Sequence, residues 1–439
     1  MSWISPTPRK LSLEEMVHVP EATRSRVTVV CTVRGEAGGV DEKLLAQAFA
    51  TAVGRHPSLR SRIRQDGPVA YSFQPLESGL PELQVRPGGP SALAEEINTA
   101  LPPGGALVRA VLLRGEDGEV GGDGEDGDTF VLSVDHTITD GQSALALNHS
   151  LWRAYAALAD GTFTAPEAAG QDLPAPLSAR LTPYPQEDLA AYVAARGAQV
   201  HGVSMGFLPY AAAGRERTGQ GPLMDVARVR LTVEETARLV GAAKAGGVSV
   251  HGLVVAALLI AIRQQLGGQP ADRRLGSMTP VDLRSRLSPP LDGEVLVPAA
   301  SFFFDVLDVP DDADPVALGR RVVDNLRAAM ERGDLAREIL AAPQVLRDPS
   351  LMRASLVTTN LGSMPVPGLP SGLEITDMRC FALGNASFPQ AGRGPLGAAV
   401  LTVHGRLGIE FPHSTDCFTP EQLRDACDSV RATLTGLAS

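Results

Sequence analysis

At 439 residues, 44% hydrophobic and 20% charged, the chain has the composition of an ordinary globular protein, with length for about two to three domains. A formal net charge of −11 argues against a nucleic-acid binder, which needs a basic stripe to meet phosphates. The 4 cysteines, Cys31, Cys380, Cys417 and Cys427, form no CxxC pair, so neither a zinc ribbon nor a disulfide framework is indicated and a reducing compartment is expected.

Residues 26–33 read as a strand rich in Val and Thr, and 41–53 as a helix with an acidic first turn. In the stretch that follows, Arg60, Arg62 and Arg64 alternate, as they would on one side of a strand. Residues 106–113 and 129–134 read as two strands joined by the Gly- and acid-rich connection 114–128. Its carboxylates at Asp117, Asp123, Glu125, Asp126 and Asp128 do not fit calcium-loop spacing, so a hairpin loop is expected. A helix over 142–158 carries Leu145, Leu147, Leu151, Tyr155 and Leu158 on roughly one stripe. The Pro-, Ala- and Gly-rich stretch 161–185 reads as a linker, giving a first lobe over 1–165, a linker over 166–185 and a second lobe over 186–439.

In the second lobe, strands are expected at 225–231, 274–281, 298–309, 373–383, 396–403 and 406–411, and helices at 232–245, 249–266, 315–332 and 420–434. Gly405 marks a hairpin within 402–408. Strands and helices mix throughout, which predicts an α/β architecture in two lobes. The start of the chain lacks a continuous apolar segment, and the longest apolar stretch, 248–262, is interrupted by Ser249, His251 and Gly252. We therefore expect a cytoplasmic protein, monomeric, with no membrane span.

The most informative segment is Val134-Asp135-His136-Thr137-Ile138-Thr139-Asp140-Gly141, the turn between the 130–134 strand and the 142–158 helix. A neutral imidazole there can accept a proton, since its ordinary pKa is about 6.5. Asp140 need not touch substrate: a buried ion pair or the partial positive charge of the helix start would each use its carboxylate. The plainer reading is a solvent-facing His136 followed by an N-capping Asp140.

The segment from His136 to Gly141 resembles the HHxxxDG signature of the chloramphenicol-acetyltransferase-like superfamily. That superfamily includes the condensation domains of nonribosomal peptide synthetases, polyketide-associated (phthiocerol dimycocerosate type) acyltransferases, BAHD acyltransferases and wax ester synthases. Four other segments agree in kind and order. Arg55-His56-Pro57-Ser58-Leu59-Arg60 is similar to their RHPxLR stretch, and residues 250–258 to the helix opening their second half. Pro280-Val281-Asp282-Leu283-Arg284-Ser285-Arg286 is similar to PVDLRxR, and Thr359-Asn360-Leu361-Gly362 to SNLG.

The resemblance implies two chloramphenicol-acetyltransferase-like lobes in a V, with a tunnel at their interface and His136 at its centre. Acyl donor and acceptor would enter from opposite ends. It also implies an Asp140–Arg284 ion pair fixing the turn, for which a planar guanidinium is suited. Acyl transfer from a thioester needs a base, oxyanion donors and exclusion of water. His136 is the candidate base, the Gly141 backbone N–H a candidate oxyanion donor, and Asn360 a weaker side-chain one.

Asp135 stands where condensation domains have a second His. Asp135, Asp140 and Ser143 also satisfy the DxxxxDxxS pattern of heterocyclisation domains, which makes Asp135 and Ser143 candidate modulators of the chemistry. The leading expectation is ester formation in natural-product or lipid biosynthesis. The donor would be an acyl-CoA or a phosphopantetheine-bound acyl group on a carrier protein, and the acceptor a small-molecule alcohol, with no cofactor and no metal. The alternatives are an amide-forming freestanding condensation or cyclisation enzyme acting on an amine, and a catalytically silent carrier-docking member. Arg60, Arg62 and Arg64 could offer an acidic carrier protein a basic face.

Other signals are weaker. Gly202-Val203-Ser204-Met205-Gly206 matches GxSxG, but a helical pattern precedes it where a nucleophile elbow needs a strand. Gly392 to Gly397 matches GxGxxG but leads into a strand rather than a helix. His251 reads as packed in its apolar helix rather than bound to metal, and Phe302-Phe303-Phe304 as a strand buried on both faces, with a tunnel lining as the alternative.

Overall fold

The computed structural model describes residues 5–20, 24–35, 39–77, 79–89, 91–115, 127–164, 170–211, 224–267, 272–384 and 393–437. The chain divides into two units that do not follow chain order. Unit 1 comprises Met1–Arg180, Arg284–Ala299 and Pro365–Asn385; unit 2 comprises Leu181–Leu283, Ala300–Met364 and Ala386–Ser439. Two pieces of the segment read as one continuous second lobe therefore belong to unit 1. Pattern along the chain reports that a strand exists, not which sheet edge it joins, so the sequence carried no sign of this exchange.

Unit 1 is built on a five-stranded sheet of β1 (Ser25–Gly35), β2 (Leu83–Pro87), β3 (Val108–Arg114), β4 (Asp128–Asp135) and β9 (Leu373–Gly384), in the order β9-β1-β4-β3-β2. Only the β2–β3 pair is parallel. Helix α1 (Glu42–Arg55) starts where Asp41 accepts the backbone N–H of Lys43 and Leu44. Its buried Leu45, Ala48, Phe49, Ala52 and Val53 fall at helical spacing and face α2 (Gly141–Ala159). Trp152 of α2 lies edge-on to Phe130 of β4, ring centroids 5.5 Å apart, and both rings are fully buried. Each such side chain contributes about 1.5–3 kcal/mol by leaving water, so this contact fixes the helix over the strand that ends at the motif.

The insert 284–299 is held in unit 1 by charge. Glu294 pairs with Arg55 at the end of α1 and with Arg153 of α2. The connection between β3 and β4 falls largely outside the described residues. Its closing residue, Asp128, is buried and takes the Val40 N–H and an Arg114 guanidinium nitrogen, at 2.8 and 2.7 Å.

Unit 2 is built on β5 (Met224–Arg230), β6 (Arg274–Asp282), β7 (Ala300–Asp308), β8 (Leu356–Ser363), β10 (Leu396–Val403) and β11 (Arg406–Ser414), in the order β7-β6-β8-β10-β11-β5. The remaining longer helices are α3 (Gln186–Val200), α4 (Val233–Ala245), α5 (Val250–Gln265), α6 (Pro315–Arg332), α7 (Asp334–Leu340) and α8 (Pro420–Gly436). Helix α5 forms the core, with Leu253 to Leu259 buried without a break, packed against α6 and α8. It crosses α6 at glycine. A Cβ on Gly252 would sit 2.6 Å from the Gly319 carbonyl oxygen, and one on Gly319 would sit 2.9 Å from Gly252 backbone, so neither position admits a side chain. The β10–β11 hairpin turns at His404 and Gly405, with φ of 49° and 71°, the two positive values of a type I′ turn.

Three local expectations are corrected. Arg60 does not join Arg62 and Arg64 on a strand, because Pro57 opens a 3-10 turn, Pro57–Arg60, that leaves Arg60 buried before the strand Ser61–Gly67 begins. Arg62 pairs with Glu77 and Arg64 with Asp66, so the chain's own acids already neutralise that face. Phe304 is buried, but Phe302 and Phe303 are only half-buried, since β7 is an edge strand. They line a cleft of about 560 Å³ in unit 2, with Tyr192, Arg196, Asn325 and Arg332. The Gly202–Gly206 segment follows α3 directly and leads into the short strand Leu208–Pro209, while Gly392 lies outside the described residues. Among the described residues no single helix is long and apolar enough to cross a membrane.

Candidate active site

The turn after β4 is over-determined by its own polar groups. The Asp135 N–H donates to the Leu107 carbonyl (2.8 Å) and the His136 N–H to the Ser25 carbonyl (3.0 Å), so the sheet grips the chain up to the motif histidine. Asp135 is 1% exposed, and both carboxylate oxygens are engaged. Oδ1 accepts the Thr137 N–H (3.0 Å) and hydroxyl (2.6 Å), and Oδ2 meets Arg24 at 3.3 Å. A carboxylate so committed shapes the turn.

Asp140 is the N-cap of α2. Oδ1 accepts the Ser143 N–H at 2.9 Å; the Ser143 hydroxyl accepts the Asp140 N–H at 3.1 Å and lies 2.9 Å from the Thr139 hydroxyl. This reciprocal cap satisfies the backbone donors that a helix start leaves open. Oδ2 accepts Arg284 Nη1 and the Ala299 N–H, each at 2.8 Å, and Arg284 Nη2 donates to the Val297 carbonyl, also at 2.8 Å. Arg284 is 5% exposed, not the strand-end surface charge it would otherwise be. Burial alone would raise the Asp140 pKa. Arg284 and the backbone N–H groups of Ser143 and Ala299 outweigh it and hold the carboxyl below the usual carboxylate range.

With both acids spent on the scaffold, His136 is the group of the turn left for chemistry. It is half-buried, and its Nδ1 is buried with no hydrogen-bond partner among the described residues. That leaves Nε2 as the nitrogen through which the ring can meet a substrate. Gly141 opens α2, where the backbone N–H groups of the first turn have no partner within the helix.

A second ring, unmarked by any sequence pattern, covers His136. His18, just past the single helical turn Leu13–Met16, stacks on it face to face, with centroids 4.3 Å apart and planes within 3°. Its Nδ1 lies 3.3 Å from the Ser25 hydroxyl, so Ser25 touches both histidines, through its carbonyl and its side chain. Burial, and secondarily the charge His136 would carry, push the His18 pKa well below its ordinary value, so His18 is neutral near pH 7. No local pattern marks His18. Arg24, Val297 and Ala299 are equally silent, because their roles exist only once distant segments meet.

Asn360 belongs to unit 2, on β8. Its Oδ1 accepts the Gly362 N–H at 2.9 Å and its Nδ2 lies 3.5 Å from His251 Nδ1, so its amide is partly committed within that unit.

The chain has the fold seen in condensation domains and in a fungal O-acetyltransferase. Residues 220–412 match the family described as phthiocerol/phthiodiolone dimycocerosyl transferase C-terminus. A phthiocerol/phthiodiolone dimycocerosyl transferase of Mycobacterium ulcerans (strain Agy99) is 24% identical over 384 residues, covering 84% of each chain. Polyketide synthase associated protein 5 of Mycobacterium tuberculosis superposes with a TM-score of 0.72 at 20% identity over 98% of both chains. The trichothecene 15-O-acetyltransferase of Fusarium sporotrichioides superposes with a TM-score of 0.75 at 15% identity, covering 98% of this chain and 95% of that one. The first condensation domain of the CDA synthetase gives 0.68 at 17% identity, covering 98% and 96%.

Proposed function

We propose that the protein is an acyltransferase that moves an acyl group from a CoA or carrier-protein thioester to a hydroxyl acceptor, with His136 as general base. One observation carries this reading: both carboxylates beside the half-buried His136 are consumed in holding its turn, and the ring nitrogen it buries is Nδ1. The transferase relatives support acyl transfer as the class of reaction.

His136 Nε2 takes the acceptor's proton as its oxygen attacks the thioester carbonyl carbon. The resulting oxyanion is met by the N–H of Gly141, where the start of α2 adds its partial positive charge. The tetrahedral intermediate then collapses, the C–S bond breaks, and the departing sulfur recovers the proton from the His136 imidazolium. Base and acid are thus one residue, and no acyl-enzyme intervenes. Asp140 and Arg284 take no proton in this scheme; they hold the turn.

The test is to incubate the full chain with octanoyl-CoA and an octanoyl-loaded carrier protein against panels of primary alcohols and amines, following thiol release and acylated product. Ester formed by the wild type and lost in His136→Ala supports the reading. Reaction with amines alone would move the activity to amide formation, and turnover undiminished in His136→Ala would overturn the base assignment.

A further inference from the structure

We infer that His18 is a positioning residue for His136: its ring, stacked face to face on the motif imidazole, fixes the ring plane that the buried, partnerless Nδ1 leaves unspecified. The inference rests on the proposed role of His136 as base and names what keeps that base aimed.

A histidine that works through one nitrogen commonly has its other nitrogen tied to a carboxylate or carbonyl, and that bond selects the tautomer and stops ring rotation. Here the two carboxylates nearest in sequence are occupied elsewhere, Asp135 with Thr137 and Arg24, and Asp140 with Ser143, Arg284 and Ala299. Nδ1 of His136 is buried and has no partner among the described residues. Rotation about the ring's own axis must therefore be resisted by packing. A parallel ring with planes within 3° does so, because turning either imidazole would drive its edge into the other's face. His18 is itself anchored by the Ser25 hydroxyl, and the Ser25 carbonyl takes the His136 N–H, so both rings are referred to one residue at the start of β1. Since burial keeps His18 neutral, its electron-rich face remains available to the imidazolium formed when His136 accepts a proton.

The experiment compares His18→Phe, which keeps a flat ring, with His18→Leu, which keeps bulk without one. In full-length protein carrying 13C-histidine, with the His136 ring signals assigned by their loss in His136→Ala, relaxation of the ring C–H groups in the wild type and in His18→Phe should show a rigidly held His136 ring. His18→Leu should show a ring of lower order, free to rotate. In the thiol-release assay with octanoyl-CoA and an accepting alcohol, His18→Leu should lose about tenfold or more in kcat with KM within about twofold, and His18→Phe should recover to within about threefold of wild type. A His136 ring as ordered in His18→Leu as in the wild type overturns the inference whatever the turnover. Undiminished turnover in His136→Ala instead overturns the functional reading, so the two failures are distinct.

Discussion

His136 stands shortly before a major helix and His251 in the first turn of another, one in each unit, and their surroundings differ in the respect that bears on chemistry. His251 is the second residue of α5, inside the helix. Burial pushes its pKa down to about 4, and its Nε2 is buried without a partner among the described residues. His136 stands ahead of its helix on a turn held by Asp135 and Asp140, and the nitrogen it buries is Nδ1. One imidazole is packing with a suppressed charge; the other is presented. Where the scaffold absorbs the neighbouring charges, as Asp135 and Asp140 do here, a histidine near a helix start is left uncommitted by them.

The largest expected effect separates the two directly. His136→Ala should lower acyl transfer by about 10²–10⁴-fold, the range of a lost general base, while His251→Ala should stay within about threefold, both read as initial rates of thiol release. Equal losses would erase the distinction.

Next is the scaffold. Arg284→Ala leaves the Asp140 carboxylate buried without its cation and should cost about 3–5 kcal/mol in urea unfolding, with the Arg284→Ala/Asp140→Ala double variant costing less than the sum of the singles. Additivity would mean that the pair is not coupled.

Acid should then distinguish folded from unfolded chains through their imidazoles. His56 and His251 have folded pKa values of about 4, and His18 is lowered too, against about 6.5 when unfolded. As pH falls the unfolded chain takes up these protons first, so stability is full above about 6.5 and declines from there to about 4. His251→Leu should flatten that decline by removing one of the protons. Asp140 acts lower: its depressed carboxyl stabilises the fold above about pH 4 and ceases to do so as pH falls through its folded value. The smallest effect is a control far from the motif. Thr232→Ala, which breaks the cap of α4, should cost about 1 kcal/mol in thermal unfolding and leave turnover unchanged.

How much of this was legible in the sequence depended on distance along the chain. The cap of α2 was readable because Asp140 and Ser143 lie within one turn of each other, and the β10–β11 hairpin because Gly405 marks its own turn. The site's long-range partners were not. Arg284 entered through resemblance alone, and His18 through nothing at all, since a stacking partner needs no spacing. Arg60 was misplaced because its alternation with Arg62 and Arg64 has the period of a strand, whereas Pro57 ends the regular backbone one turn earlier. The assignment of β9 to unit 1 likewise lay beyond any local pattern, because an edge strand carries the same alternation whichever edge receives it.

That strand bears on how the molecule comes to exist. Residues 1–180 leave the ribosome well before Arg284 and before Leu373–Gly384, yet unit 1 contains all three. Until then β1 has an open edge and the Asp140 carboxylate lacks its cation, so the first portion made is the one obliged to wait. An amino-terminal fragment ending near Arg180 should be unable to hold the motif turn in the conformation of the full chain.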